Sequence, residues 1–213
     1  MIALVDTHTM QGRDLVLRRM FEARKAVFVD LLGWDVPVLD GKYEVDQFDD
    51  EHARYVVLAD ADLNHLGSAR LLPTTRPHIL DTIFPALCAG PVPKGEGVFE
   101  ITRFCLDRRS NASERRLVRD QLVTALTQHA LANDIRSYTG VADHGWLGQV
   151  LQFGWKARPL GQPLAGRDRG LGALRIDIDV GTPACLKRTG MWRPADHLLI
   201  DLTGEASPAG ASR

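Results

Sequence analysis

Residues 98–106 read VFEITRFCL, a run of β-branched, aromatic and aliphatic side chains that is typical of a buried β-strand. Glu100 and Arg103 interrupt this run, although a strand that is covered on both faces rarely carries a charge. Alternation along a strand places these two side chains on opposite faces of the sheet, unless a β-bulge redirects one of them. The two charges therefore form either a buried ion pair between layers or part of a functional site.

The size and composition of the chain predict one domain with a substantial hydrophobic core. It has 213 residues, of which 45% are hydrophobic, and a formal net charge of −1. We place the domain at residues 1–202 and expect a disordered tail at 203–213, because TGEASPAGASR has too few apolar side chains to pack. The near-neutral charge argues against binding of nucleic acid, which requires an excess of Lys and Arg.

Nothing in the sequence predicts secretion or insertion into a membrane. The start, MIALVDTHTM, lacks the basic residues and apolar core of a signal peptide, and no stretch is long and apolar enough to span a bilayer. Three cysteines, an odd number, lie far apart in apolar surroundings, which is typical of reduced thiols. We therefore expect a cytoplasmic protein.

Hydrophobic periodicity predicts helices and strands in alternation around the central strand. Helices are expected at 11–32, at 78–83, at 144–153 and after a capping box formed by Asn111 and Glu114. Strands are expected at 53–59, 65–72, 98–106, 135–142, 155–160, 173–180 and 197–202. This order predicts an α/β fold with three layers, αβα, in which helices flank a mixed sheet.

Two segments of opposite charge adjoin the central strand. The loop after the first helix, residues 34–51, alternates acids with apolar side chains, while the segment 103–119 is rich in arginine. If the two segments line one cleft, one wall favours a cation and the other an anionic partner; two solvated faces are the simpler alternative. The acidic loop lacks the glycine and the closing glutamate of a calcium-binding loop, so we predict no metal site.

These residues together resemble the acyl-homoserine-lactone synthases, the autoinducer synthases of bacterial quorum sensing. The resemblance is close over roughly the first half of the chain and looser in the second half. It rests on residues in a fixed order: Arg24, Phe28, Trp34, Asp46, Asp49, Arg70 in GSARLLP, Phe84, and Glu100 with Arg103 in FEITRF. It implies a fold like that of the N-acetyltransferases.

The resemblance also implies a two-step reaction on S-adenosylmethionine (SAM). The amine of SAM is acylated by a thioester, and its carboxylate then attacks its own γ-carbon, which closes the lactone and expels methylthioadenosine. SAM is thus a substrate, and no cofactor is expected. The residues expected to bind it, through charge pairing and cation–π contacts, are Arg24, Phe28, Trp34, Asp46, Asp49 and Arg70. For Arg70, ordering of the acidic loop is the favoured role.

Glu100 and Arg103 are the expected catalytic residues. Glu100 would remove a proton from the attacking amine, directly or through one water. An apolar strand around Glu100 would raise its pKa, and Arg103 close by would oppose the rise. Backbone N–H groups at a bulge could stabilise the charge that develops on the thioester carbonyl.

The acyl group is expected to contact Phe84, Thr102, Ala142 and Trp146. Many relatives that prefer 3-oxo chains have a threonine where Ala142 aligns, and its loss removes a hydroxyl that could bond to the oxo group. Trp146 either shortens the acyl tunnel or belongs to the core.

The acyl donor is expected to be an acyl carrier protein or acyl-CoA. The segment LDRRSNASERR has no glycine where general acetyltransferases hold the coenzyme pyrophosphate. Separate arginines on a surface suit an acidic carrier protein, although the phosphates of coenzyme A could use the same side chains. The residues expected to dock the carrier are Arg108, Arg109, Arg115 and Arg116.

Two other functions are compatible with such a fold. One is a CoA-dependent N-acetyltransferase, which the missing glycine turn and the presence of Trp34, Asp46 and Asp49 disfavour. The other is a non-catalytic module that binds an acyl carrier or a nucleotide. The presence of both Glu100 and Arg103 disfavours it, although resemblance in fold does not establish activity.

Overall fold

The computed structural model of the protein describes residues 10–162, 170–195 and 198–202. In the first half the elements are α1 (Met10–Arg24), a π-helical turn (Lys25–Val29), β1 (Val38–Leu39), β2 (Tyr43–Glu44), β3 (Arg54–Ala59), β4 (His65–Pro73), α2 (Ile79–Thr82), a 3₁₀ turn (Pro85–Leu87) and β5 (Val98–Leu106). They are followed by α3 (Ala112–Ala132), β6 (Ser137–Asp143), α4 (His144–Val150), β7 (Lys156–Pro159), β8 (Leu171–Asp177), α5 (Thr182–Arg188) and β9 (Leu198–Leu202).

Seven of the strands form one mixed sheet in the order β7-β8-β6-β5-β4-β3-β9. The central strands β5 and β6 are parallel, and the other neighbours are antiparallel. A parallel pair requires a crossover connection, which α3 supplies. Helices cover both faces of the sheet, so the predicted three-layer α/β fold is confirmed.

Alternation along β3 divides the core between the two faces. Val56 and Leu58 pack in the cluster that includes Leu122 of α3, whereas Val57 packs in the cluster that includes Met20 of α1. All five side chains are at most 1% exposed, and full burial of such a side chain contributes about 1.5–3 kcal/mol. The strand therefore holds helices on both of its faces.

The start of α3 follows its sequence signal. The side chain of Asn111 accepts hydrogen bonds from the backbone N–H groups of Ser113 and Glu114, and the Glu114 side chain accepts one from the backbone of Asn111. The predicted capping box is therefore confirmed. Farther along, the hydroxyl of Tyr138 on β6 donates to the carbonyl of Leu126 at 3.0 Å, which fixes α3 against the sheet.

A β-bulge in β5 redirects Arg103. Between two consecutive ladder pairs β4 contributes one residue and β5 contributes two, Arg103 and Phe104. Arg103 has a φ of 51°, a left-handed conformation that costs a residue other than glycine about 1–2 kcal/mol. The extra residue turns Arg103 away from the face of Phe99 and Ile101 and onto the face of Thr102, as the bulge hypothesis allowed.

The structure differs from the predicted elements in a few places. The first helix was expected to continue to residue 32, but its α-helical part ends at Arg24 and a π-helical turn follows. The helix α5 was not predicted, because seven residues that begin with Thr182 and a proline show no helical periodicity. The predicted tail at 203–213 lies outside the described residues.

Within residues 10–162, 170–195 and 198–202, no helix is both long and apolar enough to cross a membrane.

Candidate functional site

Three arginines and three carboxylates form one ion-pair network on the α1 side of the sheet. Arg24 ends α1, Arg70 lies in β4 and Arg103 lies at the bulge of β5. The carboxylates come from the acidic loop and from β2: Glu44, Asp46 and Asp49. Each of the six side chains is at most 9% exposed, and the positive and negative charges are equal in number. Buried charges of this kind are tolerated only when they are paired.

Asp49 lies at the centre of this network. Its two oxygens accept hydrogen bonds of 2.8 Å from the two terminal nitrogens of Arg24. One oxygen also lies 2.8 Å from Nη1 of Arg70 and accepts a hydrogen bond of 2.8 Å from the hydroxyl of Tyr55. Burial alone would raise the pKa of Asp49, but the hydrogen bonds and charges of Arg24 and Arg70 outweigh burial and hold it well below its usual range.

Asp46 and Glu44 join the arginines to one another. Asp46 accepts hydrogen bonds from Arg70 at 2.6 and 3.0 Å and from Arg103 at 2.7 Å. Glu44 accepts from Arg24 at 2.6 Å and from Arg103 at 2.9 Å. Arg70 therefore bonds to the acidic loop, in agreement with the role that was favoured for it. Glu44 was missed as a site residue; the signal was its position two residues before Asp46, where acids alternate with apolar side chains.

Two aromatic rings cover one side of Arg103. Phe28 and Trp34 stack with their ring centroids 4.7 Å apart and an angle of 25° between the ring planes. The guanidinium carbon of Arg103 lies 5.5 Å from the ring of Phe28 and 5.6 Å from that of Trp34. Phe28 is buried, but Trp34 is 43% exposed, so this edge of the network faces solvent. A ligand cation could use the same rings by cation–π contact.

Glu100 lies apart from the network, in the interior of the same face. Its side chain is fully buried; Oε1 accepts a hydrogen bond of 3.0 Å from the N–H of Leu80, and Oε2 has no partner among the described groups. Burial raises the pKa of Glu100 to about 7, against the opposing effect of backbone N–H groups and of Arg70. The opposing arginine is thus Arg70, whereas Arg103, which was expected in that role, pairs with Glu44. A carboxyl group of this kind can accept and release a proton near neutral pH.

The four residues expected in the acyl pocket lie on two faces of the sheet. On the α1 side, Thr102 accepts a hydrogen bond of 2.9 Å from Arg70, and Phe84 packs against the apolar clusters near α1 and α2. Ala142 and Trp146 instead belong to the cluster on the α3 side. The structure therefore does not gather these four side chains on one surface.

The ladder between the two central strands ends in the middle of the sheet. Its final recorded pair is Glu100 with Thr139, although β5 continues to Leu106 and β6 to Asp143. Beyond this point Phe104 of β5 contacts Trp146, with the ring centroids 5.1 Å apart. The two central strands therefore pair over only part of their length.

The four arginines expected to dock a carrier are exposed at the end of β5 and on the first turns of α3. Arg109 pairs with Asp107 at 2.8 Å, and Arg115 donates to the carbonyl of Ser110. All four side chains point to solvent: Arg108, Arg109, Arg115 and Arg116. Arg108 and Arg109 also line a cavity of about 280 Å³ between α1 and the end of β5.

The carboxylates of the site are not arranged for a metal ion. Across the part of the chain that the structure describes, no group of three or more His, Cys, Asp or Glu side chains could hold one. The acids of the network face arginines instead, which suits recognition of a ligand that carries both a cationic and an anionic group.

Comparison with known proteins agrees with the resemblance read from the sequence. The family described as autoinducer synthase matches residues 7–184. An acyl-homoserine-lactone synthase of Ralstonia nicotianae is 38% identical over 170 residues, which are 76% of this chain and 82% of that protein. The structure of BjaI, a CoA-dependent acyl-homoserine lactone synthase with SAM and isopentyl-CoA, is 25% identical with a TM-score of 0.77, over 94% of this chain and 92% of that one.

The fold is also similar to that of a solved structure outside this group of synthases. A Lactobacillus plantarum protein described as an N-acetyltransferase shares the fold at 17% identity, with a TM-score of 0.51 over 80% of this chain and 94% of that one. The family match covers most of the sequence, including every residue of the ion-pair network. The chain belongs to the autoinducer synthase family, together with the acyl-homoserine-lactone synthases that it resembles.

Proposed function

We propose that this protein synthesises an N-acyl-L-homoserine lactone from SAM and an acyl thioester. The single observation that carries the proposal is the position of Glu100, a buried carboxyl group with one free oxygen and a pKa near 7, on the same face of the sheet as a network of arginines and carboxylates. The network offers partners for the charged groups of an amino acid, and Glu100 offers a base for its amine.

In the acylation step, Glu100 takes a proton from the ammonium group of SAM. The amine nitrogen then attacks the thioester carbonyl, a C–N bond forms, and the thiolate leaves and takes up a proton. A pKa near 7 suits this task, because a base that is half ionised at the working pH combines availability with basicity. The bulge at Arg103 leaves backbone N–H groups off the ladder, and these could stabilise the developing oxyanion.

Binding of SAM would draw on the network through an exchange of partners. Its ammonium group would take a carboxylate from Asp46 or Asp49, and its carboxylate would take an arginine. The stacked rings of Phe28 and Trp34 would cover the sulfonium or the adenine. Because the network is already neutral, the exchange keeps the ammonium and the carboxylate of SAM paired, and the sulfonium is left to the aromatic rings.

In the second step the carboxylate oxygen of the acylated substrate attacks the γ-carbon. A C–O bond forms, the C–S bond breaks, and the sulfonium becomes the neutral thioether of methylthioadenosine. No proton and no further cofactor are needed for this displacement. The arginines Arg24 and Arg103 would orient the carboxylate toward the carbon, which is a contribution of positioning.

The donor and the compartment belong to the proposal as well. BjaI is a CoA-dependent enzyme, and the arginines at the start of α3 suit the phosphates of coenzyme A or the acidic surface of a carrier protein. We infer that the protein acts in the cytoplasm, where SAM and acyl thioesters are both available.

The test is the reaction itself. The purified protein is given SAM with either acyl-CoA or acyl carrier protein donors of several chain lengths, and mass spectrometry follows lactone and methylthioadenosine. Both products should form in equal amounts, and a Glu100→Gln control should form far less of each. Transfer of an acyl group to an amine without release of methylthioadenosine would identify a general N-acyltransferase instead, and the absence of both products would reject the proposal.

A further inference from the structure

Glu100 and Thr139 each place an unpaired polar atom in the interior of the sheet. Glu100 is 0% exposed and Thr139 is 1% exposed, and neither Oε2 of Glu100 nor Oγ1 of Thr139 has a hydrogen-bond partner within the described structure. Buried polar atoms are almost always paired, because an unpaired one costs about 1–3 kcal/mol. Two such atoms on neighbouring strands therefore require an explanation.

The sheet register brings these two residues side by side. Glu100 and Thr139 are direct partners in the parallel ladder between β5 and β6, and they form its final recorded pair. Tyr138 bonds to α3, so alternation places Thr139 on the opposite face, where Glu100 bonds to Leu80 of α2. Neighbouring strands lie about 4.8 Å apart, so one small polar group can contact both free oxygens.

We propose that Thr139 is a positioning residue, which holds with Glu100 one water that carries the proton of the attacking amine to the Glu100 carboxylate. This inference rests on the proposed function and adds a residue to it. The water would donate one hydrogen bond to Glu100 and accept one from the hydroxyl of Thr139, which leaves its second lone pair for the amine N–H. A water with two or three polar partners is the usual means by which buried polar groups are satisfied.

The proton transfer balances without any further reactant. The ammonium group gives one proton to the water, and the water passes one proton to Oε2 of Glu100. The amine keeps the electron pair that attacks the thioester, and Glu100 later returns its proton to solvent or to the leaving thiolate. Thr139 neither gains nor loses a proton over the cycle, so its role is geometric.

Other charged groups that face Glu100 must stay constant in any test. They are Arg70 of β4, Asp81 of α2, which pairs with Lys94, and the thiol of Cys88 beyond the 3₁₀ turn. On the far side of β6, Arg175 of β8 pairs with Thr139 in the ladder and binds Asp177. A substitution at Thr139 alters none of these charges, so a change in the titration of Glu100 reports the lost hydroxyl.

The decisive variant is Thr139→Val, which keeps the shape of the side chain and removes its hydroxyl. The titration of Glu100 is followed by the infrared band of a protonated carboxyl group that is present in the parent and absent from Glu100→Gln. Loss of a donor that reaches the carboxylate through water should raise the pKa of Glu100. In turnover, kcat should fall by about 10- to 100-fold with little change in KM for SAM, the size expected from misplacement of a reacting group by about 1 Å.

Two further variants separate positioning from structure. Thr139→Ser restores the hydroxyl and should restore both the titration of Glu100 and kcat. Ser137→Ala removes another buried, unpaired hydroxyl from the same strand and face, but its ladder partner is Val98, about 6–7 Å from Glu100 along the strand. Ser137→Ala should leave the pKa of Glu100 and kcat at the parental values. Measured thermal midpoints verify that all three variants fold.

The outcomes separate this inference from the proposed function. An unchanged titration of Glu100 in Thr139→Val, or an equal change in Ser137→Ala, would overturn the role of Thr139 even if the parent makes lactone. A raised pKa in Thr139→Val that serine reverses supports the coupling. If the parent then forms no lactone, the coupling stands and the proposed reaction is rejected.

Discussion

Arg24 and Asp49 form a two-pronged ion pair in which both terminal guanidinium nitrogens lie 2.8 Å from the carboxylate oxygens. Both side chains are 1% exposed. The pair links the end of α1 to the acidic loop, and through Asp49 it also engages Arg70 of the sheet. The loop that carries two predicted substrate-binding acids is therefore held by buried charges.

Removal of one partner from this pair should destabilise the protein strongly. Arg24→Met leaves Glu44 and Asp49 buried with fewer counter-charges, so we expect the free energy of unfolding to fall by about 3–5 kcal/mol. Urea denaturation measures this change. The matched control is Lys25→Met, because Lys25 pairs with Asp30 at 2.9 Å with side chains 28% and 40% exposed. Its effect should not exceed about 1 kcal/mol, and equal effects for both variants would contradict the prediction.

Replacement of Glu100 by glutamine should impair acylation more than binding. The amide keeps the shape of the side chain but cannot accept the amine proton, and loss of a general base typically costs about 10²–10⁴-fold in rate. Calorimetry should show that SAM still binds, while the rate of methylthioadenosine release falls. An unaltered turnover would remove Glu100 from the mechanism.

The same substitution should stabilise the protein, and more at alkaline than at acidic pH. The pKa of Glu100 is raised from an ordinary value of 4.5 to about 7, so between these values the folded state holds a proton that the unfolded state has lost. The stability of the parent therefore falls as pH rises through this window. At about 1.4 kcal/mol per pKa unit, Glu100→Gln should gain on the order of 3 kcal/mol near pH 8 and little near pH 5. Thermal midpoints measured at both pH values check the prediction, and a gain that is equal at both would refute it.

Charge reversal at Arg115 and Arg116 should weaken the use of a carrier-bound donor. Both side chains are exposed on the first turns of α3, where they act through a field that salt screens. We expect KM for acyl carrier protein to rise in the double variant and, in the parent, to rise with ionic strength. The control is reversal of Lys187 and Arg188, which are exposed on α5. If KM for acyl carrier protein changes neither with salt nor on charge reversal at either pair of residues, Arg115 and Arg116 do not form the docking surface.

Truncation of Trp146 should lengthen the preferred acyl chain. Its ring contacts Phe104 of β5 on the α3 side of the sheet, so Trp146→Ala should open space for an acyl chain on that side. Each methylene that fills the space contributes about 0.8 kcal/mol, which shifts kcat/KM by several-fold per carbon. The control is Trp155→Ala, since Trp155 is buried in the same aromatic cluster and bonds to the carbonyl of Val150.

Product distribution and thermal midpoint together decide the role of Trp146. The control variant should melt lower without a change in products, because loss of a buried tryptophan costs about 3–5 kcal/mol. If Trp146→Ala behaves in the same way, this residue belongs to the core and does not limit the chain length.

Much of the fold was predictable because its signals are local. The bounds of β5 at 98–106 follow from a β-forming run that Glu100 and Arg103 interrupt but do not end, and the start of α3 follows from the pairing of Asn111 with Glu114. The helix α5 was missed because seven residues are too few to show a period, and its contacts with α3 are long-range.

Five of the six residues of the ion-pair network were singled out in the sequence, but their pairing was not. Strand alternation identified Glu100 and Arg103 as anomalies, yet only the register with β4 shows that a bulge turns Arg103 toward Asp46. Glu44 was not assigned to the site, although it lies two residues before Asp46 in the same alternation of acids and apolar side chains, because its arginine partners lie far away in the sequence. The division of Ala142 and Thr102 between two faces likewise depends on the register of different strands.

Two single-residue insertions adjoin the ion-pair network, one in a helix and one in a strand. The π-helical turn at Lys25–Val29 adds a residue to the helix that carries Arg24 and Phe28, and the bulge adds one to the strand that carries Arg103. Deletion of one residue would restore regular geometry at either place. In the helix it would rotate the side chains that follow, and in the strand it would move them to the opposite face of the sheet. The composition of the site would hardly change. Over evolutionary time such a site tolerates exchanges of side chains more readily than changes in spacing. Length between its motifs should be the more constant property of functional relatives.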